Sequence, residues 1–206
     1  MEKTCIIFGA GTYVAPKIKP TKQLVIAADG GYASAKKAGF EPDIIIGDFD
    51  SSAPPEDTEA FVVKLKRDKD DTDMLAAVKT GLRRGCDTFV IYGGTGGRLD
   101  HTVANFGVLA YLNAFGAQGY LIDEHSVATA ITDGKFSPPA CAVGTVSVFA
   151  FGGNAEGVTL KGLKFPLDDY ELTPEFPIGV SNETTDGKRA EISVKHGTLL
   201  IFFPRR

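Results

Sequence analysis

Residues 72–94 read TDMLAAVKTGLRRGCDTFVIYGG, a helix-like segment followed by a short apolar run. Thr72 can cap a helix whose apolar side chains recur at helical spacing, namely Met74, Leu75, Val78 and Leu82. Gly85 can end this helix, because glycine readily adopts the backbone of a C-terminal cap. Thr88–Tyr92 is apolar nearly throughout, which is typical of a strand buried on both faces. The stretch therefore predicts an α/β fold.

The same alternation of strand and helix continues on both sides of this stretch. Apolar runs predict strands at Thr4–Phe8, Leu24–Ala28, Ile44–Ile46 and Phe61–Leu65. Helices are predicted over Tyr32–Gly39 and Leu99–Phe115. We expect the second of these to face the core through Val103, Phe106, Ala110 and Phe115. Residues 1–123 are therefore predicted to form an open, mostly parallel, Rossmann-like sheet with helices.

The pattern changes after Tyr120, where short apolar runs are separated by Gly, Pro, Asn and Asp. These runs are Val127–Ile131, Val143–Phe151, Glu191–Val194 and Leu199–Phe203. No amphipathic helix is predicted among them. We expect residues 124–206 to form a smaller all-β sandwich or barrel domain.

Composition argues against several classes of protein. The 206 residues are 43% hydrophobic with a net charge of −4, which lacks the basic excess of a nucleic-acid binder. No apolar run approaches the roughly 18 residues of a membrane span. The three cysteines, Cys5, Cys86 and Cys141, are widely spaced without a CxxC pair, which argues against structural zinc and disulfides. With no secretory signal at the N-terminus, we expect a cytoplasmic protein.

Asp48 and Asp50 follow the predicted strand Ile44–Ile46 directly. In extended backbone, side chains two residues apart leave the same face. Two adjacent carboxylates repel each other unless a cation lies between them, and Mg²⁺ prefers such oxygen ligands. The alternative is a solvated turn, in which Asp and Ser are common.

A second acidic segment, KRDKDDTD at residues 66–73, opens the helix that follows Thr72. Acids at a helix N-terminus complement the helix dipole, which explains at least one of them. Capping does not require three or four, so a further metal ligand is expected here, most plausibly Asp73.

Residues 93–101 read GGTGGRLDH, a glycine-rich loop between a predicted strand and a predicted helix. Its backbone amides can approach phosphates closely, and Arg98 offers a planar charged fork for phosphate oxygens. The loop lacks the GK[ST] ending of a P-loop, and a flexible turn is the alternative. His101 alone is more typical of a structural residue.

Two further glycine segments lie near the N-terminus. GAGTYV at residues 9–14 lacks the third glycine of a dinucleotide fingerprint, which argues against a nicotinamide or flavin site. Asp29 adds a carboxylate at another strand end. The charged residues predicted at one sheet edge are thus Asp29, Asp48, Asp50, Asp73, Arg98 and Asp100. Acids for a metal and a glycine–arginine loop for phosphate indicate metal-assisted phosphoryl-type transfer.

Taken in order, ADGGY (28–32), PDIIIGDFDS (42–51), KDDTD (69–73) and GGTGGRLDH (93–101) resemble the motif series of the thiamine pyrophosphokinase (thiamine diphosphokinase) family. GVSNE at residues 179–183 resembles part of that family's second domain. The resemblance implies ATP-dependent transfer of a pyrophosphoryl group to the thiamine hydroxyl, which yields thiamine diphosphate and AMP. It also implies a homodimer with thiamine bound between the subunits, and a β-rich thiamine-binding domain after an ATP- and Mg²⁺-binding one.

The same resemblance assigns roles to individual residues. Mg²⁺ would be held by Asp48, Asp50 and Asp73. Catalysis would involve these three together with Arg98 and Asp100, and either Asp100 or one of Asp48 and Asp50 would accept the hydroxyl proton. ATP would contact Asp29, Thr72, Gly94, Gly96, Gly97, Arg98 and His101. Thiamine would contact Ser181 and Asn182, for which an ordinary β-turn is the alternative.

Two other functions fit part of the pattern. A metal-dependent phosphohydrolase could use the same acids, although it would not need the glycine–arginine loop or a β domain. A non-catalytic module that binds a nucleotide or thiamine diphosphate could dispense with the metal-binding acids.

Overall fold

The computed structural model describes residues 3–17, 23–49, 55, 58–66 and 71–206. Three helices lie within these residues: α1 (Gly31–Lys37), α2 (Asp73–Arg83) and α3 (Leu99–Ala114). The strands are β1 (Thr4–Phe8), β2 (Gln23–Ala28), β3 (Ile44–Gly47), β4 (Phe61–Lys64), β5 (Thr88–Tyr92), β6 (Gln118–Ile122), β7 (Ser126–Thr132), β8 (Lys135–Phe136), β9 (Thr145–Lys161), β10 (Leu167–Leu172), β11 (Asn182–Glu183), β12 (Glu191–Ser193) and β13 (His196–Pro204).

The first six strands form a parallel sheet in the order β4-β3-β2-β1-β5-β6. β1 pairs with β2 on one side and β5 on the other, so that Ile6 lies beside both Val25 and Val90. Every residue of β3 is buried, as the continuous apolar run predicts. The sheet is covered by α1 on one face and by α2 and α3 on the other.

The sheet continues past residue 123 into the C-terminal part of the chain. β6 pairs antiparallel with β7, which joins β13 and then β9. β9 is longer than predicted and contains Gly152 (φ +76°) and Gly157 (φ +67°). Its first part pairs with β13, and its second part pairs with β10 and β12. The structure is thus a mixed sheet with three helices, and the division into two domains stays a prediction.

Buried side chains form two core clusters, one on each side of the sheet. The first core cluster includes Phe8 and Phe40 from the α1 side and extends to Val148 and Ile201 of the C-terminal strands. The second core cluster contains the buried faces of α2 and α3 and reaches Leu200. Each cluster therefore includes residues from both sides of position 123.

The α2 helix begins and ends where the sequence predicts. The Thr72 hydroxyl accepts a hydrogen bond from the Leu75 amide at 3.2 Å, which caps the first turn. Gly85 has φ +77° just past the end of the helix. Met74 and Val78 are buried, and Leu75 and Leu82 pack against the second core cluster.

The predicted inward face of α3 is only partly right, since Phe106 packs against the second core cluster as expected. The buried residues of this helix are Asn105, Val108, Leu109 and Leu112, whereas Val103 and Phe115 are 55% and 63% exposed. Apolar side chains occur on nearly every face of α3, so their spacing does not select one. The rotation of the helix instead places the Asn105 amide against the Gly94 carbonyl.

Two expectations about the whole chain can be compared with the structure. Cys5 and Cys86 are buried free thiols, and Cys141 is an exposed free thiol. Among the described residues, no helix is both long and apolar enough to cross a membrane.

Substitutions at two glycines, one in α2 and one in α3, test how the helices pack on the sheet. A Cβ at Gly81 in α2 would lie 2.5 Å from Phe89 Cε1, whereas a Cβ at Gly107 in α3 would meet no atom within 4 Å. We expect Gly81→Ala to lower the free energy of unfolding by about 1–3 kcal/mol, because overpacking outweighs the gain in helix propensity. Gly107→Ala should raise it by about 0.5–1 kcal/mol. Urea unfolding measures both, and equal effects would contradict this packing.

Candidate nucleotide and phosphate site

The candidate site lies where the order of the parallel strands reverses. β1 and β5 are neighbours, yet the chain continues from β1 in one direction across the sheet and from β5 in the other. Ligands of open α/β sheets bind outside the carboxyl ends of the strands at such a point. Gly9–Thr12 follows β1 there, and Gly93–Gly97 follows β5.

These two glycine loops are hydrogen-bonded to each other. The amides of Gly9, Gly11 and Thr12 donate to the carbonyls of Tyr92, Gly93 and Thr95, each at 2.8 Å. The β1–β5 pairing thus continues beyond the sheet as contacts between loops. The two loops form one rim of the site.

The glycines are required by this close approach. A Cβ on Gly11 would lie 2.3 Å from the Thr95 carbonyl oxygen. Gly93 has φ +65°, and a Cβ there would lie 2.4 Å from the Gly9 carbonyl oxygen. The spacing that resembles half a dinucleotide fingerprint therefore serves the packing of two loops, and its contribution to the site was missed in the sequence. The signal was present, since these glycines follow a strand at its carboxyl end.

Side chains outside the loops fix the second loop in place. Asn105 of α3 is buried and donates from Nδ2 to the Gly94 carbonyl at 2.7 Å. The Thr95 hydroxyl donates to Asp123 Oδ1 at 2.6 Å. Arg205, near the C-terminus, donates to the Asp123 carbonyl at 3.5 Å and also to the Ala15 carbonyl. Both ends of the chain thereby support the site.

The loops enclose a cavity of about 500 Å³. Eight residues predicted to contact ATP or metal line it: Asp29, Thr72, Asp73, Gly94, Gly96, Gly97, Arg98 and His101. The sequence did not predict the other lining residues, which are Gly9, Ala10, Gly11, Thr12, Ala28, Met74, Gly93, Ala104 and Asn105. The cavity therefore brings two carboxylates and one guanidinium beside exposed loop backbone.

Other predicted residues lie elsewhere. Asp48 and Asp100 do not line the cavity, and neither do Ser181 and Asn182. Asp50 lies outside the described residues, as do Asp68 and Asp70 of the second acidic segment. Within the described part of the chain, no three His, Cys, Asp or Glu side chains come together as a metal site.

That Asp48 and Asp50 leave the same face stays a prediction, because Asp50 lies outside the described residues. It requires extended backbone, but β3 ends at Gly47 and Phe49 has φ +56°, in the left-handed region. The backbone is therefore not extended at Phe49, the residue that follows Asp48.

Left-handed backbone at non-glycine residues recurs within the predicted motifs. Asp29 has φ +52°, Phe49 has φ +56° and Ser181 has φ +57°. Each such residue costs of order 1–3 kcal/mol and persists only where the surroundings determine it. At Asp29 the backbone is held by a hydrogen bond that its amide donates to the Ile46 carbonyl at 2.7 Å.

Arg98 and Asp100 form a bidentate ion pair at the start of α3. Arg98 Nε donates to Asp100 Oδ1 at 3.1 Å, and Nη2 donates to Oδ2 at 2.5 Å. These bonds lower the pKa of the Asp100 carboxyl and raise the pKa of Arg98. Both side chains are exposed, and a guanidinium has five N–H donors, so Arg98 retains donors for a ligand.

Asn182 has a structural role in this chain. Its side chain is buried, accepts from the Phe165 and Glu183 amides at 3.0 and 2.9 Å, and donates to the Phe165 carbonyl at 2.6 Å. Ser181 is exposed, and its amide donates to Ser147 Oγ at 3.1 Å. The predicted contact of these two residues with thiamine stays a prediction.

Comparison with known proteins gives the chain its relatives. The family model for the thiamin pyrophosphokinase catalytic domain matches residues 15–121, and the model for the thiamin pyrophosphokinase vitamin B1 binding domain matches residues 138–199. Thiamine pyrophosphokinase of Bacillus subtilis (strain 168) is 28% identical over 184 residues, which cover 86% of each chain.

Solved structures agree with these matches. The crystal structure of the Bacillus subtilis thiamine pyrophosphokinase superposes with a TM-score of 0.86 at 25% identity and covers 100% of both chains. That of thiamin pyrophosphokinase from Geobacillus thermodenitrificans gives a TM-score of 0.84 at 25% identity, covering 99% of this chain and 98% of that one. The first family match begins at residue 15, so the Gly9–Thr12 loop precedes it.

The Arg98–Asp100 pair predicts a measurable titration. NMR detection of the side-chain carboxyl should show Asp100 with a pKa below the usual value of about 3.9, because ionised Asp100 accepts two charged hydrogen bonds. Arg98→Gln should return the Asp100 pKa toward that value, while Arg84→Gln, at the C-cap of α2, should leave it unchanged. If the Asp100 pKa is the same in Arg98→Gln as in the parent, the ion pair does not form in solution.

Proposed function

Because the chain belongs to the thiamin pyrophosphokinase family, whose members transfer pyrophosphate to thiamine, we propose that it moves the pyrophosphoryl group of ATP onto the thiamine hydroxyl. The products are thiamine diphosphate and AMP. The observation that carries this proposal is the cavity of about 500 Å³ at the carboxyl ends of β1 and β5, which combines glycine loops, Arg98, Asp29 and Asp73.

The cavity suits a triphosphate. Backbone of the second glycine loop lines it, and amides of such loops bind phosphate oxygens well. Arg98 adds a permanent positive charge at the same opening. The parallel strand order supports the Rossmann-like interpretation, in which the phosphates lie across the reversal point.

The residues present are compatible with Mg²⁺. Proteins usually hold Mg²⁺ through one or two carboxylates plus substrate phosphates, so a cluster of three protein acids is not needed. Asp73 lines the cavity at the start of α2, and Asp29 lines the same cavity just after β2. We propose that Asp73 and one of the predicted ligands Asp48 and Asp50 hold Mg²⁺ together with the substrate phosphates. When bound, the ion neutralises phosphate charge and orients the triphosphate.

The transfer itself needs positioning more than covalent chemistry. The thiamine hydroxyl oxygen attacks the β-phosphorus, and the bond from that phosphorus to the oxygen bridging toward the α-phosphorus breaks. AMP leaves with that oxygen and its developing negative charge. Arg98 stabilises the charge, since its remaining N–H donors can reach phosphate oxygens while Asp100 holds the other side.

The hydroxyl proton requires an acceptor. Asp100 is the weaker choice, because its two hydrogen bonds from Arg98 lower its pKa and make it a poorer base. We therefore assign the proton to one of Asp48 and Asp50. The shape of the pH–rate profile in Asp100→Asn relative to the parent distinguishes these assignments, because a general base must be deprotonated to act and loss of the acidic limb would return the role to Asp100.

Thiamine is proposed to bind where two copies of the chain meet. Ser181 does not line the nucleotide cavity of its own chain. The segment before it exposes apolar side chains, with Phe176, Ile178 and Val180 exposed by 64%, 40% and 44%. Exposed apolar residues on one segment favour an interface. A cytoplasmic location remains a prediction from the sequence alone.

One assay separates the proposed reaction from the two alternatives. The protein is incubated with ATP, Mg²⁺ and thiamine, and AMP and thiamine diphosphate are quantified. Equal amounts of both products, formed only with thiamine present, support pyrophosphoryl transfer. Inorganic phosphate that forms without thiamine indicates a phosphohydrolase. Tight binding with no product indicates a non-catalytic module.

Asp73→Asn removes a charge from the cavity at nearly constant volume. We expect kcat to fall by about 100-fold or more, because electrostatic stabilisation dominates phosphoryl transfer. Asp168→Asn, an exposed acid on β10, is the matched control and should retain parental activity. Since Thr72 is the cap, the fold should persist, which circular dichroism verifies. An Asp73→Asn variant with parental kcat would refute the metal assignment.

The dimer proposal is tested on the same protein. Sedimentation at assay concentrations should give twice the mass of the 206-residue chain. Val180→Asp, which places a charge in the exposed apolar segment, should yield monomers that bind ATP but do not turn over thiamine. A monomeric parent with full activity would rule out a thiamine site shared between subunits.

A further inference from the structure

A second cavity, of about 460 Å³, lies against the sheet on the side of the first core cluster. It is walled by side chains of β5, β6, β7 and β13 below and by residues 136–140 and Arg189 above. Its lining residues are Val90, Tyr120, Ile122, Val127, Phe136, Ser137, Pro138, Pro139, Ala140, Arg189 and Phe203. It shares no lining residue with the nucleotide cavity. The proposed reaction therefore gives this cavity no role.

The wall of the cavity is apolar and firmly held. Phe136 and Phe203 pack with their ring centroids 5.6 Å apart. Two consecutive prolines, Pro138 and Pro139, have fixed φ angles, and the Pro139 carbonyl accepts from the Ala142 amide at 2.8 Å. A preformed apolar cavity with few polar groups is the usual form of a small-molecule site.

One positive charge stands at this cavity. Among its described lining residues, Arg189 alone carries a formal charge. The backbone of Arg189 is held against Gly162, since a Cβ on Gly162 would lie 2.1 Å from the Arg189 carbonyl oxygen, and the next residue, Ala190, is buried. The side chain is exposed and forms no ion pair with the described part of the chain. The backbone of Arg189 is therefore fixed, while its guanidinium is available to bind a ligand.

Charge near the opening favours an anion. Arg189 also lines an adjoining cavity of about 340 Å³, together with Lys188 and one acid, Asp186. Thr184 and Thr185 line the same opening with hydroxyl groups. A ligand that spans the boundary would meet an apolar wall at one end and a net positive, hydroxyl-lined surface at the other.

We infer that this second cavity binds a small amphipathic monoanion, whose apolar body fills the space between the sheet and Pro138–Ala140 and whose acid group pairs with Arg189. The volume fits a body about the size of two aromatic rings or a short alkyl chain. A cation of the same shape is rejected by the guanidinium. This site is separate from the nucleotide cavity, so the inference does not depend on the proposed reaction.

The experiment uses the fluorescence of anilinonaphthalene sulfonate, an aromatic monoanion, with the full chain. We expect saturable binding that octanoate displaces and octylammonium, which has the same tail and the opposite charge, does not. Saturating ATP should not displace the dye, because the two cavities share no residue. Displacement by octylammonium as effective as by octanoate, or displacement by ATP, would overturn the proposal.

Variants locate the site. Arg189→Gln should weaken octanoate about tenfold or more, as expected for the loss of a charge-assisted hydrogen bond, whereas Arg84→Gln should have no effect. Ala140→Phe, at an exposed position on the wall, should abolish dye binding by filling the opening. Cooperative thermal unfolding at the parental midpoint excludes dye binding to a loosened fold. Parental octanoate affinity in Arg189→Gln, or parental dye binding in Ala140→Phe, would refute the assignment.

Discussion

The contact between the two glycine loops fixes the geometry on which the candidate site depends. Three backbone hydrogen bonds of 2.8 Å join Gly9–Thr12 to the segment from Tyr92 to Thr95, at a separation that side chains on Gly11 or Gly93 would prevent. Because the loops satisfy each other's polar groups, they do not need ligand to hold their shape. Backbone that is already ordered loses less entropy when a phosphate binds.

The supports of this contact come from distant parts of the chain. Asn105 holds Gly94 from α3, Asp123 holds Thr95 from the end of β6, and Arg205 links that turn to Ala15. None of these three residues belongs to a motif with a chemical role. They support the candidate site by holding the loop backbone in place, and Asn105 also lines the cavity.

Much of this architecture could be predicted from the sequence, because buried strands and capped helices leave strong local signals. The apolar run of β3, the Thr72 cap and Gly85 are read from neighbouring residues and were confirmed. Eight predicted site residues line one cavity for a related reason, since strand ends and helix starts must meet at one edge of a parallel sheet.

The features that were predicted wrongly or missed share a physical cause. Tertiary contacts determine them, and the local sequence pattern does not. In α3 the Asn105 side chain is buried against the Gly94 carbonyl, whereas apolar spacing placed the exposed Val103 and Phe115 on the inward face. Phe49 has left-handed backbone, which a run of β-branched residues before it does not predict. The hydrogen bonds between the Asn182 side chain and the Phe165 backbone, seventeen residues away in sequence, were not predicted, and the contact of Asn182 with thiamine stays a prediction. The second cavity joins segments that are up to about a hundred residues apart, and no local motif marks it.

The continuity of the sheet past residue 123 also bears on how the molecule loses its structure. β6 and β7 are hydrogen-bonded neighbours, and both core clusters draw side chains from either side of that position. Unfolding of the C-terminal strands would expose part of the Phe8 and Tyr92 side chains to solvent. It would also leave β6 as an edge strand. The chain is therefore expected to unfold in one cooperative step, with neither half persisting as a stable intermediate.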